Sequence, residues 1–277
     1  MNKKNNTLVW QFYPVSNLET EGKELENTSY IIGTMHVRDE RAFQFEQIFF
    51  DKIQACEVFA TEFDLEDVQI APVENAMLLP RNETLKSLIS NKLYNRINDV
   101  VKKQAGIDLM QFDNYKPIAI TNLLTQGILS EDRLLSLDET LWHFAKENGK
   151  ILRGIETFSE QLEILNNIPI EDQIKSLKEI ARNFNKFRKQ LLKMAQIYEQ
   201  ADISKLYKAA KQTAKGSRKM MIYDRNEIMA DRISELSTQN SVCAAIGAGH
   251  LAGKKGVLRL LKQKGYIVKP MYVIDYL

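Results

Sequence analysis

Ser29-Tyr30-Ile31-Ile32-Gly33-Thr34-Met35-His36 and Val242-Cys243-Ala244-Ala245-Ile246-Gly247-Ala248-Gly249-His250 decide the fold. Each is a short apolar run that reads as a buried strand and then leaves through Gly-x-x-His. Glycine is expected where a strand stops and the backbone turns sharply. Each histidine therefore falls just past a strand's carboxyl end. In an open α/β sheet that edge is where ligands bind, because the loops leaving the strands form a crevice there. A single Gly-x-x-His says little, since glycine ends strands in many proteins. Here the device occurs twice in the same context and takes two of the chain's three histidines, His36 and His250. The third, His143 in Leu141-Trp142-His143-Phe144, reads as a packed or rim residue of an apolar helical face.

A metal held by imidazoles usually needs an oxygen ligand or a carboxylate base, so acidic strand ends matter next. The run Ala55-Cys56-Glu57-Val58-Phe59-Ala60-Thr61-Glu62-Phe63-Asp64 reads as a strand with Glu62 and Asp64 on one face near its end. Lys150-Ile151-Leu152-Arg153-Gly154-Ile155-Glu156-Thr157 reads as another, ending in Glu156. Together His36, Glu62, Glu156 and His250 make a mixed nitrogen and oxygen donor set, which suits zinc, manganese, cobalt or iron better than calcium. A purely structural alternative has Glu62 and Glu156 capping the following helices or pairing with Arg153 or Arg225. Glu57 reads as a solvated edge residue. Cys56 and Cys243 read as mid-strand thiols in apolar company, where cysteine behaves as a small hydrophobe.

A chain of 277 residues that is 44% hydrophobic can bury a sizeable core. Leu85, Leu88, Ile89, Leu93, Ile97 and Val100 recur at helical spacing, as do Ile174, Leu177, Ile180 and Phe184. The fold class is therefore α/β: a central sheet built from both ends of the chain, flanking helices, and a mostly helical middle section over about 80–221. A net charge of +2 gives no reason to expect nucleic-acid binding. Basic residues cluster at Arg182, Lys186, Arg188, Lys189 and Lys193, and again at Lys205, Lys208, Lys211, Lys215, Arg218 and Lys219, where they read as solvated helical faces. Lys254-Lys255 lie close behind the second histidine, within reach of an anionic substrate group. Met1-Asn2-Lys3-Lys4 is basic, but the apolar stretch after it, Leu8-Val9-Trp10, is too short for a signal peptide. No apolar run reaches membrane-spanning length, and with two buried-looking cysteines the expected location is cytoplasmic.

These residues resemble the TraB/GumN/TIKI family, whose members share paired Gly-x-x-His motifs. That family includes metal-dependent proteases that clip Wnt ligands and bacterial proteins linked to pheromone shutdown. The resemblance covers nearly the whole of 1–277 as a single domain. Beyond His36 and His250 it takes in Ala60-Thr61-Glu62-Phe63-Asp64-Leu65, the Leu79-Pro80 turn before Thr84-Leu85, Tyr115-Lys116-Pro117 and Ser136-Leu137-Asp138. It also includes Gly154-Ile155-Glu156-Thr157 with Gln161, Tyr223-Asp224-Arg225-Asn226, and Leu251-Ala252-Gly253 after the last motif, as in the bacterial GumN-like branch. Ile118 stands where members often have tryptophan. The resemblance implies a core related to the erythromycin esterase and ChaN group, with a metal-supported hydrolytic site at the strand ends. It carries over His36, Glu62 and His250 as the centre, with Glu156 and Arg225 in support.

The chemistry expected of this set is metal-assisted hydrolysis of an amide or ester in a peptide or small-molecule substrate. His36 and His250 serve as ligands, Glu62 as ligand or base, Glu156 as an orienting group and Arg225 as an oxyanion or carboxylate holder. Two alternatives stay open: a non-catalytic peptide- or haem-binding module using the same crevice, and a metal-free esterase using histidine and glutamate as acid and base. As cleft residues, both histidines are expected to be replaceable by alanine at little cost in stability.

Overall fold

Among the residues described by the computed structural model, 6–15, 28–67, 76–214 and 216–272, six strands form one mixed sheet. They are β1 (Val9–Pro14), β2 (Ser29–Thr34), β3 (Val58–Phe63), β4 (Ile151–Glu156), β5 (Val242–Gly247) and β6 (Tyr266–Met271), in the spatial order β4-β3-β5-β2-β1-β6. The first four in that order are parallel neighbours. β1 runs antiparallel to both β2 and β6. The parallel block positions the site, because it brings the carboxyl ends of β2, β3, β4 and β5 to one edge. β5 lies between β3 and β2, and its residues Val242 to Ile246 are all buried, as expected of a central parallel strand covered on both faces.

The helices are α1 (Glu46–Gln54), α2 (Leu85–Leu88), α3 (Asn91–Ala105), α4 (Pro117–Gln126), α5 (Leu137–Glu147), α6 (Phe158–Asn166), α7 (Ile170–Arg182), α8 (Phe184–Glu199), α9 (Ile203–Thr213), α10 (Arg225–Leu236) and α11 (Val257–Gln263). Two compact units result. One comprises Met1–Asp67, Glu131–Phe158 and Met194–Leu277; it holds the sheet, a core including Phe12, Ile32, Phe49, Phe59, Trp142 and Met229, and every candidate site residue. The other, Val68–Ser130 with Ser159–Lys193, is helical and packs around Leu85, Tyr94, Ile97, Ile120 and Leu177.

The α/β class is as expected, and several local expectations are corrected. Gly33 does not end its strand: it lies inside β2, where an added Cβ would come within 2.7 Å of Leu251. Its service is close packing rather than a turn. Neither β1 nor β6 was anticipated, since Leu8-Val9-Trp10 and the run at 266–271 are short and carry no ligand motif. The periodic stretch from Leu85 to Val100 is two helices, because Ile89 is extended and the Ser90 hydroxyl accepts the Leu93 N–H as a new N-cap. Phe184 likewise opens α8 rather than continuing α7. Cys56 precedes β3 instead of lying within it, although both cysteines are buried and unpaired. Asp64 lies beyond β3 and caps the Glu66 N–H at 2.8 Å. Glu57 is exposed, yet its carboxylate accepts the Ser241 N–H at 3.0 Å. Exposed His143 is not packed. Met1 to Lys4 and Lys215 lie outside the described residues, among which no helix is long and apolar enough to cross a membrane.

Candidate active site at the strand ends

Arg225 opens α10 directly after a π-helical turn, Lys219–Asp224. Such turns hold one residue more than an α-helical turn and recur at functional sites. From this position the guanidinium reaches two strand ends. Its Nε donates to both oxygens of Glu156, at 3.0 and 3.1 Å, and its Nη2 donates to Glu156 Oε2 at 2.5 Å and Glu62 Oε2 at 2.7 Å. Glu156 ends β4 with its side chain 1% exposed, and that of Arg225 is 11% exposed. The pairing with Arg153 left open by the sequence does not occur: the exposed Arg153 turns back to the Leu152 carbonyl. Gly154 makes the approach of β3 possible, since a Cβ there would lie 2.5 Å from the Asp64 backbone nitrogen.

Glu62 joins β3 to β5. Its Oε1 accepts the Gly247 N–H at 2.7 Å. A Cβ on Gly247 would meet that oxygen at 2.9 Å, so glycine is what lets the carboxylate sit against the end of β5; His250 Cδ2, at 3.5 Å, would be in ordinary contact. Burial opposes ionisation of Glu62, but Arg225, His250 and the Gly247 N–H bring its pKa down to about 2. The two glutamates in turn hold Arg225 above its ordinary value despite burial.

His250 closes the short 3-10 turn Ala248–His250 that follows β5. Its Nδ1 lies 2.6 Å from Oδ1 of Asn226, the fully buried residue next to Arg225 on α10. Burial, aided by Arg225 and opposed by Glu62, lowers His250 to about 4, so the ring is neutral at ordinary pH. His36, two residues beyond β2, sits over the start of α5 with a side chain 60% exposed. Its Nδ1 is 3.5 Å from Asp138 Oδ2 and 3.5 Å from Ser136 Oγ. Asp138 is fixed by Thr34, whose hydroxyl donates to Oδ1 at 2.7 Å. Asp138 is the chief cause of a raised pKa at His36; burial opposes it, and Glu139 and Glu62 add to it. Fully buried Tyr198 donates to the Gly33 carbonyl at 2.8 Å, fastening β2 just before this histidine.

The donor kinds suit a divalent ion. Both imidazoles have Nδ1 against an oxygen, the arrangement that leaves Nε2 for a metal. Asp138 lies beside His36 and Glu62 beside His250, where Arg225 offsets its charge, and beyond its 3.5 Å contact with His36 the buried Asp138 Oδ2 has no hydrogen-bond partner among the described residues. Glu62, by contrast, is bonded to Gly247 and Arg225, and no group of three or more His, Cys, Asp or Glu residues is assembled to hold an ion among the described residues. The fit thus rests on the two histidines. Asp138 and Asn226 were given no role from sequence, although both belong to quoted stretches; an Asp in a helix's first turn and an Asn following an Arg look like ordinary polar residues until the strand ends meet them.

The chain matches the family model described as TraB/PrgY/gumN over residues 18–270. It belongs to that family. Curated proteins similar to it are Metalloprotease TIKI2 of Danio rerio, 25% identical over 87% of this chain, and Metalloprotease TIKI1 of Xenopus tropicalis, 23% identical over 87%. Metalloprotease TIKI2 of Xenopus tropicalis is 24% identical over the same share. The chain spans less than two thirds of these relatives, 58%, 59% and 57% of their lengths in the same order. No solved structure matches the chain significantly.

Proposed function

We propose that this TraB/PrgY/gumN protein is a metal-dependent hydrolase acting on peptide or related amide bonds at the carboxyl edge of the parallel strands. The observation that carries the reading is the pair of imidazoles at the ends of β2 and β5, each with Nδ1 placed against an oxygen and with ionised Glu62 beside His250. The relatives' names, metalloproteases, support the class of reaction. His36 and His250 are the residues that hold the ion, with Glu62 as the third candidate; manganese, cobalt, zinc and iron all suit such donors. When bound, the ion supplies Lewis-acid polarisation of the scissile carbonyl.

The chain's own groups do the rest. Neutral His250 presents a lone pair rather than a charge. Glu62, held near pKa 2, stays anionic at neutral pH; that suits it to orient an attacking water and makes it a weak proton acceptor unaided. Arg225 offsets the charge of Glu62 and Glu156 and holds both in register. In this role it is a structural bridge first; an oxyanion or substrate carboxylate has to be met by its Nη1. The same reading treats 1–277 as one family domain, with the helical stretch of about 80–221 carried between its strands. Two buried free thiols support a reducing, cytoplasmic setting.

Metal analysis of protein purified without chelator or added metal, paired with a peptide-library cleavage assay, tests the reading. In Glu62→Gln, turnover is expected to fall by orders of magnitude while peptide affinity survives. A peptide or haem carrier has no need of an anionic carboxylate to orient water, so unchanged function in that variant rejects the hydrolase and leaves the binding module.

A further inference from the structure

We infer that Asn226 is a positioning residue that locks His250 in the Nδ1–H tautomer and so reserves the Nε2 lone pair for chemistry. The argument begins away from the histidine. Asn226 Nδ2 donates to the Lys255 carbonyl at 2.6 Å. A backbone carbonyl only accepts, so this contact decides which end of the amide faces it. Rotating the amide by half a turn would bring two acceptor oxygens to that distance and lose the bond. Oδ1 is therefore the end that faces His250 Nδ1, at 2.6 Å. An amide oxygen cannot donate, so Nδ1 must carry the hydrogen. In a neutral imidazole the other nitrogen then holds the lone pair. Hydrogen atoms need not be seen for this chain of assignments, because it starts from a group with no choice of role.

Burial makes the lock firm. Asn226 is fully buried, so an amide stripped of its partner there finds no water to replace it. The lock also couples the histidine to the loop that follows it, since Lys255 lies five residues beyond His250 and its ammonium packs 5.0 Å over the Tyr223 ring. Asn226 and Arg225 are adjacent on α10, so one helix start sets both the tautomer of His250 and the counter-charge of Glu62. The tautomer stands on the geometry alone; its use in holding a metal rests on the hydrolase reading above.

The test is long-range proton–nitrogen NMR of the imidazole rings in metal-free protein. Only three histidines contribute, and His250→Gln identifies the one in question. Wild type is expected to show His250 protonated at Nδ1. Asn226→Ala is expected to release the ring into a mixture dominated by the Nε2–H form, which an unconstrained histidine side chain favours. Asn226→Asp, which still accepts from Nδ1–H but cannot donate to Lys255, is expected to retain the wild-type tautomer. An Nε2–H ring in wild type, or a pure Nδ1–H ring in Asn226→Ala, overturns the assignment; the wild-type spectrum alone suffices if the alanine variant does not fold. Cobalt(II) titration then reads the consequence, with affinity about 10–100-fold weaker in Asn226→Ala and near wild type in Asn226→Asp. Should wild type show the Nδ1–H ring and bind no cobalt, the metal reading falls and the tautomer lock stands.

Discussion

Replacing Arg225 with methionine removes a cation that Glu62 and Glu156 share and leaves two carboxylates close together at the sheet edge. Glu62 falls from an ordinary 4.5 to about 2 in the folded protein, worth about 3 kcal/mol at about 1.4 kcal/mol per pKa unit, of which Arg225 is the largest favourable part. Glu156, with a side chain 1% exposed, also loses its bidentate partner. Breaking a buried ion pair by removing one partner costs about 3–5 kcal/mol. Equilibrium urea denaturation of metal-free protein at neutral pH is therefore expected to show Arg225→Met weaker by that amount. The acid limb changes too. A carboxylate whose pKa is depressed on folding contributes stability that is fully present above 4.5 and is lost as pH falls toward about 2. Wild type should lose stability through that window, and Arg225→Met should lose less. Adding Glu156→Gln to the variant should restore part of the deficit by removing one of the two neighbouring negative charges. A loss under about 1 kcal/mol with an unchanged acid limb would refute the claim that this bridge holds the strand ends together.

The two histidines are expected to differ in cost, contrary to the equal tolerance suggested by sequence: His36→Ala, at a side chain 60% exposed, should leave the melting temperature nearly unchanged. His250→Ala should cost about 1–3 kcal/mol by orphaning the buried Asn226 amide, and equal melting temperatures would contradict this. Gly253→Ala, at φ +94° and with a new Cβ 2.3 Å from the Tyr207 ring, should lose about 1–3 kcal/mol in thermal unfolding; an unaltered transition would show that the loop yields freely. Burial pushes the Cys56 thiol to about 12 and Cys243 upward as well, so native protein should resist alkylation at about pH 8 while urea-unfolded protein labels at both cysteines. Rapid native labelling would place a thiol in solvent.

The parallel block was legible because strand and ligand signals coincide there: each apolar run is followed at once by a rare histidine or ends in a glutamate. β1 and β6 escaped notice because they pair with each other from opposite ends of the chain, a long-range event that six unremarkable residues do not announce. The break at Ile89-Ser90 was hidden by an apolar spacing that runs straight through it, though the serine cap was readable. Glycine was singled out at 33 and 247 as the point where a strand stops; Gly247 does end β5 at a turn, whereas Gly33 lies inside β2, and the room each leaves for Glu62 and for Leu251 is something the local sequence cannot supply. Asp138 and Asn226 acquire meaning only from partners 102 and 24 residues away, His36 and His250.

The π-turn at Lys219–Asp224 gives the site an unusual heredity. Substitution removes its supports one at a time. A residue gained or lost in an uninterrupted α-helix turns everything beyond it by about 100° and shifts it by about 1.5 Å. The π-turn takes up one residue within itself, so the rotation is not passed on to the cation between the glutamates or to the amide behind His250, which follow it at once. The centre is therefore buffered at this one point against a change in chain length, while each of its side chains remains open to substitution.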